Sequence, residues 1–155
     1  MENVLVVSDS HGDYSGLRNI LQYHLKEIHR VVHLGDGYDE AISLASENPG
    51  LYFHMVCGNC DIAEIPEQLI LNICGTRIFA LHGHRHGVKT SYEKLCSVAT
   101  EYEANLCLFG HTHTPTNFSH HNIEFINPGS VFNSGNYAII CLSYEHPPAI
   151  RLLKI

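Results

Sequence analysis

The sequence predicts an α/β fold in which two packed sheets carry helices on their outer faces. Three observations lead there: an opening β-α-β-α-β rhythm, a change to hairpin-like strands after Pro66, and a carboxyl-terminal third that is strand after strand. Asn3 to Ser8 holds a continuous apolar run, the mark of a strand buried on both faces. A loop with Gly12 and Ser15 then opens a helix whose Leu17, Ile20, Leu21, Leu25 and Ile28 recur at helical spacing. "RVVHL" at 30–34 is a second strand, "YDEAISLAS" at 38–46 a helix, and "LYFHMV" at 51–56 a third strand. Strands alternating with helices in this way pair in parallel.

After Pro66 the period changes. "EQLILNI", the turn "CGTR" and "IFALH" read as an antiparallel hairpin. A helix spans Ser91 to Ala104, with Tyr92, Leu95, Cys96, Ala99 and Tyr102 on its inner stripe, and the strand "NLCLF" follows it. The strands "TNFSH", "IEFINP", "NYAIICLSY" and "AIRLLKI" complete the chain, turned at His121-Asn122 and at Pro147-Pro148.

A length of 155 residues suits a single domain, 1–155, that buries roughly 70% of the surface of its unfolded form. The formal charge is −7 and the nine Lys and Arg residues form no run, so no extensive nucleic-acid surface is expected. "MENVLVVSD" has no basic region ahead of its apolar run, and no apolar stretch approaches the ~20 residues of a membrane helix. A cytoplasmic protein without membrane contact is expected, its six cysteines reduced. Exposed strand edges in the carboxyl-terminal half suggest a homodimer. Thirteen histidines are far above ordinary usage.

Five segments each follow a predicted strand and carry ligand-type side chains: "SDSHGD" (8–13), "GDGYD" (35–39), "GNCD" (58–61), "HGH" (82–84) and "GHTH" (110–113). Singly, Asp9-x-His11 is equally an Asx turn, Asp36 a helix cap, and His111 and His113 strand-end residues. Together, at consecutive strand ends, they converge on one crevice of an α/β sheet. Their mix of carboxylate, amide and imidazole suits Mn²⁺, Fe, Zn²⁺, Ni²⁺ or Co²⁺ and is poor for Ca²⁺. It exceeds the needs of one tetrahedral ion, so two ions sharing a carboxylate is the economical arrangement.

The ordered motifs Asp-x-His, Gly-Asp-x-x-Asp, Gly-Asn-x-Asp, His-Gly-His and Gly-His-x-His, with "NPGS" at 127–130, resemble the calcineurin-like metallophosphoesterases, in particular their compact phosphodiesterase branch. The resemblance implies a four-layer α-β-β-α sandwich of two mixed sheets flanked by helices. It implies that Asp9, His11 and His113 hold one divalent metal ion, that Asn59, His82 and His111 hold a second, and that Asp36 bridges them. Mn²⁺ is the first expectation, with Ni, Fe, Zn, Co or Mg as alternatives. Two such ions with Asp9, Asp36 and a bridging hydroxide leave a centre of about +1 in an acidic protein, which draws a small-molecule phosphate ester to that spot. Hydrolysis then proceeds by in-line attack of the hydroxide, and Asn59, His82, Asp36 and Cys60 are the residues expected to face the reaction.

"VCGNCD" (56–61) departs from the family at one position. Relatives place a histidine after Gly-Asn, where it stabilises the phosphate or protonates the leaving alkoxide; here Cys60 stands there, a poorer proton donor. His84 is a candidate substitute, or equally a strand-end histidine hydrogen-bonded to backbone. Asp39 and Asp61 are expected to orient ligating histidines or, equally, to cap a helix or loop, Cys57 to pack as a small core residue, and Asp13 and Tyr38 to be structural. Two other readings stay open: a scaffold, since the resemblance extends to the retromer subunit of this fold, and a Cys57/Cys60 thiol oxidoreductase.

Overall fold

A computed structural model describes residues Met1–Ile155. The first half alternates β1 (Glu2–Val7), α1 (Tyr14–His24), β2 (Arg30–His33), α2 (Tyr38–Glu47) and β3 (Tyr52–Met55). The second contains β4 (Gln68–Ile73), β5 (Thr76–Leu81), a 3₁₀ turn at His84–His86, α3 (Glu93–Glu101), β6 (Leu106–Leu108), β7 (Thr116–His120), β8 (Ile123–Asn127), β9 (Asn136–Leu142) and β10 (Ala149–Lys154). They form two five-stranded sheets, β10-β9-β1-β2-β3 and β4-β5-β6-β8-β7. Both are mixed. β1, β2 and β3 pair in parallel, with β9 antiparallel to β1 and β10. In the other sheet β5, β6 and β8 are parallel, while β4 and β7 join their outer sides antiparallel.

The two-residue period of a strand divides its side chains between two cores. Val4 and Val6 of β1 join Ile78 and Ala80 of β5, Leu106 and Leu108 of β6, and Ala138 and Ile140 of β9 in a 14-residue cluster between the sheets. The alternate residues Leu5 and Val7 meet Leu17, Ile20 and Leu21 of α1 and Ala41 and Leu44 of α2 on the outer face. In the second sheet Phe79, Leu81, Cys107 and Phe125 pack under Leu95 and Ala99 of α3. The continuous apolar runs thus mean strands covered on both sides, and the layers run helix, sheet, sheet, helix.

Element edges differ from the sequence reading where local chemistry intervenes. α1 ends at His24, four residues short of Ile28 on the predicted stripe. The N–H groups of Glu27 and Ile28 both turn back to the His24 carbonyl, which buries Ile28 in a turn. α1 is capped by Asp13, whose Oδ1 accepts the Gly16 N–H at 2.8 Å, the structural role expected of it. α3 is shorter than predicted, Glu93–Glu101, with Leu95 and Ala99 on its buried stripe. The β7–β8 turn at His121-Asn122 has positive φ at both residues, 48° and 61°, the form that matches strand twist in a tight hairpin. No helix is long and apolar enough to cross a membrane.

Leu108 is fully buried between the sheets, whereas Ile42 on α2 is 41% exposed. Leu108→Ala should lower the unfolding free energy by about 2–5 kcal/mol and Ile42→Ala by less than about 1 kcal/mol, read from urea midpoints at constant slope.

Candidate metal centre

Parallel pairing places the carboxyl-terminal ends of β1 and β2 along one sheet edge and those of β5 and β6 along the other. Backbone bonds stitch the loops that leave them. The Asp9 N–H donates to Gly35 O at 3.0 Å, the His11 N–H to Asp36 O at 2.9 Å, and the Gly110 N–H to His82 O at 3.0 Å. All seven residues of the expected ligand set reach one site.

Asp9, His11 and His113 form one group. Asp9 Oδ1 lies 3.1 Å from His113 Nε2 and 3.7 Å from His11 Nε2, and the two imidazole nitrogens are 3.3 Å apart. The second group centres on His82 Nε2, which is 3.1 Å from Asn59 Oδ1, 3.2 Å from His111 Nδ1 and 3.3 Å from Asp36 Oδ2. Asp36 Oδ2 also lies 3.9 Å from His11 Nε2, so this carboxylate faces both groups.

These contacts bring lone pairs together. His82 Nδ1 donates to Leu34 O at 2.7 Å, which turns Nε2 toward the oxygen and nitrogen acceptors of its neighbours. Asp9 Oδ2 accepts from Ser8 Oγ and the His111 N–H, but its Oδ1 is buried without any hydrogen-bond partner. A buried carboxylate oxygen with no donor carries a large desolvation cost unless a positive charge offsets it. Nitrogen and oxygen ligand atoms aimed at the same place, one of them an orphaned carboxylate oxygen, fit divalent cations. Burial raises Asp36, yet hydrogen bonds from His82, when its ring is protonated without an ion, and from the Cys60 N–H outweigh it and hold the carboxyl below the usual range. Burial pulls His111 down, to about 4, assisted by His82, so its ring is neutral and free to ligate at neutral pH.

The backbone is strained where the ligands sit. Asp9, His11, Asp36, His111 and His113 have φ of 54°, 41°, 56°, 70° and 62°, in the left-handed region. Each such residue costs on the order of 1–3 kcal/mol and persists only where its surroundings over-determine it. Here they do. Asp61 accepts the N–H groups of Asp36, Gly37, Tyr38 and Gly58 at 2.8–3.0 Å, tying the β2 and β3 loops together and capping α2. Ser130 Oγ donates to Asp9 O at 2.8 Å, and Asn127 Nδ2 to Gly110 O at 3.0 Å, which gives the "NPGS" segment its place. Gly58 must lack a side chain, because a Cβ there would stand 2.1 Å from Asp36 Oδ1.

Several expectations are corrected. Of the two roles open to Asp61 and Asp39, Asp61 takes the capping one, binding backbone amides and no histidine, and Asp39 hydrogen-bonds no histidine. The supporting carboxylate missed in the sequence is Glu40, whose Oε1 accepts from Ser10 Oγ and the Gly12 N–H, both at 2.7 Å. His33, for which no sequence signal pointed to a role, is buried beside it, donating from Nε2 to Ser10 Oγ at 2.8 Å and accepting the Gly35 N–H at Nδ1. Adjacent Asp39 and Glu40 point about 100° apart on a helix, so only one can reach the loop, and residue type does not say which. His84 makes no backbone hydrogen bond; its buried Nδ1 is unpartnered and its ring centre lies 5.4 Å from that of His82. Cys57 is half-buried beyond β3, with Sγ near the Gly58 and Ala63 carbonyls, rather than in a core cluster. Cys60 is exposed, and both cysteines are free. Burial, then nearby carboxylates, raise both thiols, the opposite of what a redox pair needs.

The family model described as the calcineurin-like phosphoesterase superfamily domain matches residues 2–145. A Bacillus subtilis protein named "Probable metallophosphoesterase YsnB" is 34% identical over 150 residues, covering 92% of this chain and 86% of its own. Among solved structures, a conserved uncharacterized protein and predicted phosphoesterase from Streptococcus pneumoniae is 26% identical, covers 98% of both chains and superposes with a TM-score of 0.75. Vacuolar Protein Sorting 29 from Cryptosporidium parvum shares the fold at 17% identity and a TM-score of 0.75, over 99% of this chain and 98% of its own.

Burial lowers His33, His54, His84, His86 and His111 in the folded chain. Below pH about 6.5 the unfolded chain therefore binds more protons than the folded one. His82, raised, contributes a constant amount in that range. Stability of the metal-free protein should fall as pH drops from 6.5 to 5, seen as a declining urea midpoint in a chelator; a midpoint that held or rose would contradict this balance.

Proposed function

The chain belongs to the calcineurin-like phosphoesterase superfamily, and from that premise we propose that it is a binuclear metal-dependent phosphoesterase that hydrolyses small-molecule phosphate esters, diesters in preference. The observation that carries this reading is the buried, unpartnered Asp9 Oδ1 beside His11 and His113, next to a second set of ligand atoms around His82. Asp9, His11 and His113 would hold one cation, Asn59, His82 and His111 the other, and Asp36 both. Manganese is the proposed ion, because hard oxygen and imidazole ligands predominate. When bound, the cations lower the pKa of coordinated water and offset the charge that develops at phosphorus.

The chain's own groups prepare that chemistry. Asp36, held ionised, keeps a negative charge between the two ligand groups. The Leu34 carbonyl fixes the His82 ring, and the Asp9 carboxylate anchors the His111 loop through its N–H at 3.0 Å. The cleft beside them is lined by His11, Gly12, Asp36, Tyr38, Cys60 and Ile62, open enough for a small ester. At its rim Cys60 offers a thiol in place of a cationic proton donor, so esters with good leaving groups are favoured. The likeness to Vacuolar Protein Sorting 29 extends to the fold alone, and it leaves a docking scaffold as the second reading.

Metal analysis coupled to rates on bis-aryl and mono-aryl phosphates should show hydrolysis that depends on added divalent ion, greatest with Mn²⁺. Asp36→Asn should weaken metal affinity by about 10–100-fold and abolish most activity. Bound metal without turnover on any ester would favour the scaffold. Cys60→His should raise the rate on an alkyl phosphodiester, by up to about 10²-fold, while changing aryl ester hydrolysis little; an unchanged or lower alkyl rate would remove the leaving-group role from this position.

A further inference from the structure

Three ligand atoms that the seven-residue set does not group lie together at the mouth of the site: a His11 imidazole nitrogen, an Asp36 carboxylate oxygen and Cys60 Sγ, all within 4.8 Å of one another. The sulfur is held there by two contacts. The Cys60 N–H donates to Asp36 Oδ1 at 2.8 Å, which pins the residue to the carboxylate, and Asn59 Nδ2 donates to Sγ at 3.4 Å, so a sulfur lone pair already acts as an acceptor. The same Asn59 amide turns its Oδ1 toward His82. Sγ is thus oriented by a residue of the ligand set, on the open side of the site, where His11 and Asp36 face the cleft.

We propose that Cys60 is a further metal ligand, its thiolate binding the cation shared by His11 and Asp36 and raising affinity for thiophilic ions of the Zn²⁺ and Co²⁺ class above that of a chain without the thiol, while leaving Mn²⁺ binding little changed. This rests on the binuclear reading above. The step balances simply: the S–H bond breaks, its proton passes to solvent, and the sulfur lone pair forms the bond to the cation in place of a water. Loading such an ion therefore releases one proton more than loading a chain without the thiol. Thiolate favours Zn²⁺ and Co²⁺ because it is soft and polarisable, whereas Mn²⁺ and Mg²⁺ keep to oxygen and imidazole.

Cobalt(II) titration of the full chain under reducing conditions tests it. Binding should bring visible d–d bands together with a near-ultraviolet thiolate-to-cobalt charge-transfer band. Cys60→Ser should remove the charge-transfer band and the extra proton, yet keep the d–d bands, and Cys57→Ser should keep both. The Zn²⁺-over-Mn²⁺ affinity ratio should fall by about 10–100-fold in Cys60→Ser, measured by competition against a chromophoric chelator. Cobalt bound with no charge-transfer band in the wild-type chain, or a band that survives Cys60→Ser, would overturn the ligand assignment and leave the binuclear reading intact. Failure of the wild-type chain to bind cobalt at all would overturn both.

Discussion

The constraint on which the rest depends is electrostatic: a fully buried carboxylate, Asp9, turns one oxygen toward imidazole nitrogens and has no hydrogen-bond donor for it. Beside it His82 Nε2 meets an amide oxygen, a carboxylate oxygen and another imidazole nitrogen within 3.3 Å. Gathering so many lone pairs is unfavourable in a low-dielectric interior unless positive charge compensates. A chain that nevertheless builds the arrangement has to pin every loop that contributes to it.

The pinning explains features otherwise unrelated in sequence. Left-handed backbone at Asp9, Asp36 and His111 swings each side chain sharply away from its strand and into the crevice, at a conformational cost. The two sheets meet across a buried apolar cluster, which holds the strand ends together. Asp61, with four amide donors, locks the β2 and β3 loops to each other. Ser130 reaches back from the segment after β8 to the carbonyl of Asp9 itself. Ser10, Glu40 and His33 form a second buried network under the first loop, and burial keeps the His33 ring neutral within it. Catalytic-type residues are supplied by loops, but their positions are set by strands and by hydrogen bonds to backbone.

Much of this was legible because the signals were periodic or ordered. Strands buried on both faces wrote themselves as unbroken apolar runs at 3–8 and in "RVVHL", and the site residues followed one after another at strand ends. Supporting groups were less visible, since they depend on direction rather than type. Asp61 and Asp39 carry the same carboxylate, yet one faces four backbone amides and the other faces none. His33 looked like any strand residue until the fold put Ser10 against it. The end of α1 is not legible in the spacing, because Ile28 keeps helical period although its amide is satisfied by a turn onto His24.

Under the binuclear reading, the charge around the cleft would give the metals a second task. Its walls carry Asp36, Asp39, Glu40 and Asp61 with no lysine or arginine, in a chain whose formal charge is already −7. On the proposed reading, a phosphate ester approaching these carboxylates would be repelled by them and attracted only by cations bound beside His11 and His113. Affinity for the anion and occupancy by the cations are therefore coupled, each strengthening the other by the same factor. Selectivity in such a site comes from where charge is missing as much as from where it is placed, and the short loop bearing Cys60 and Asp61 sets both.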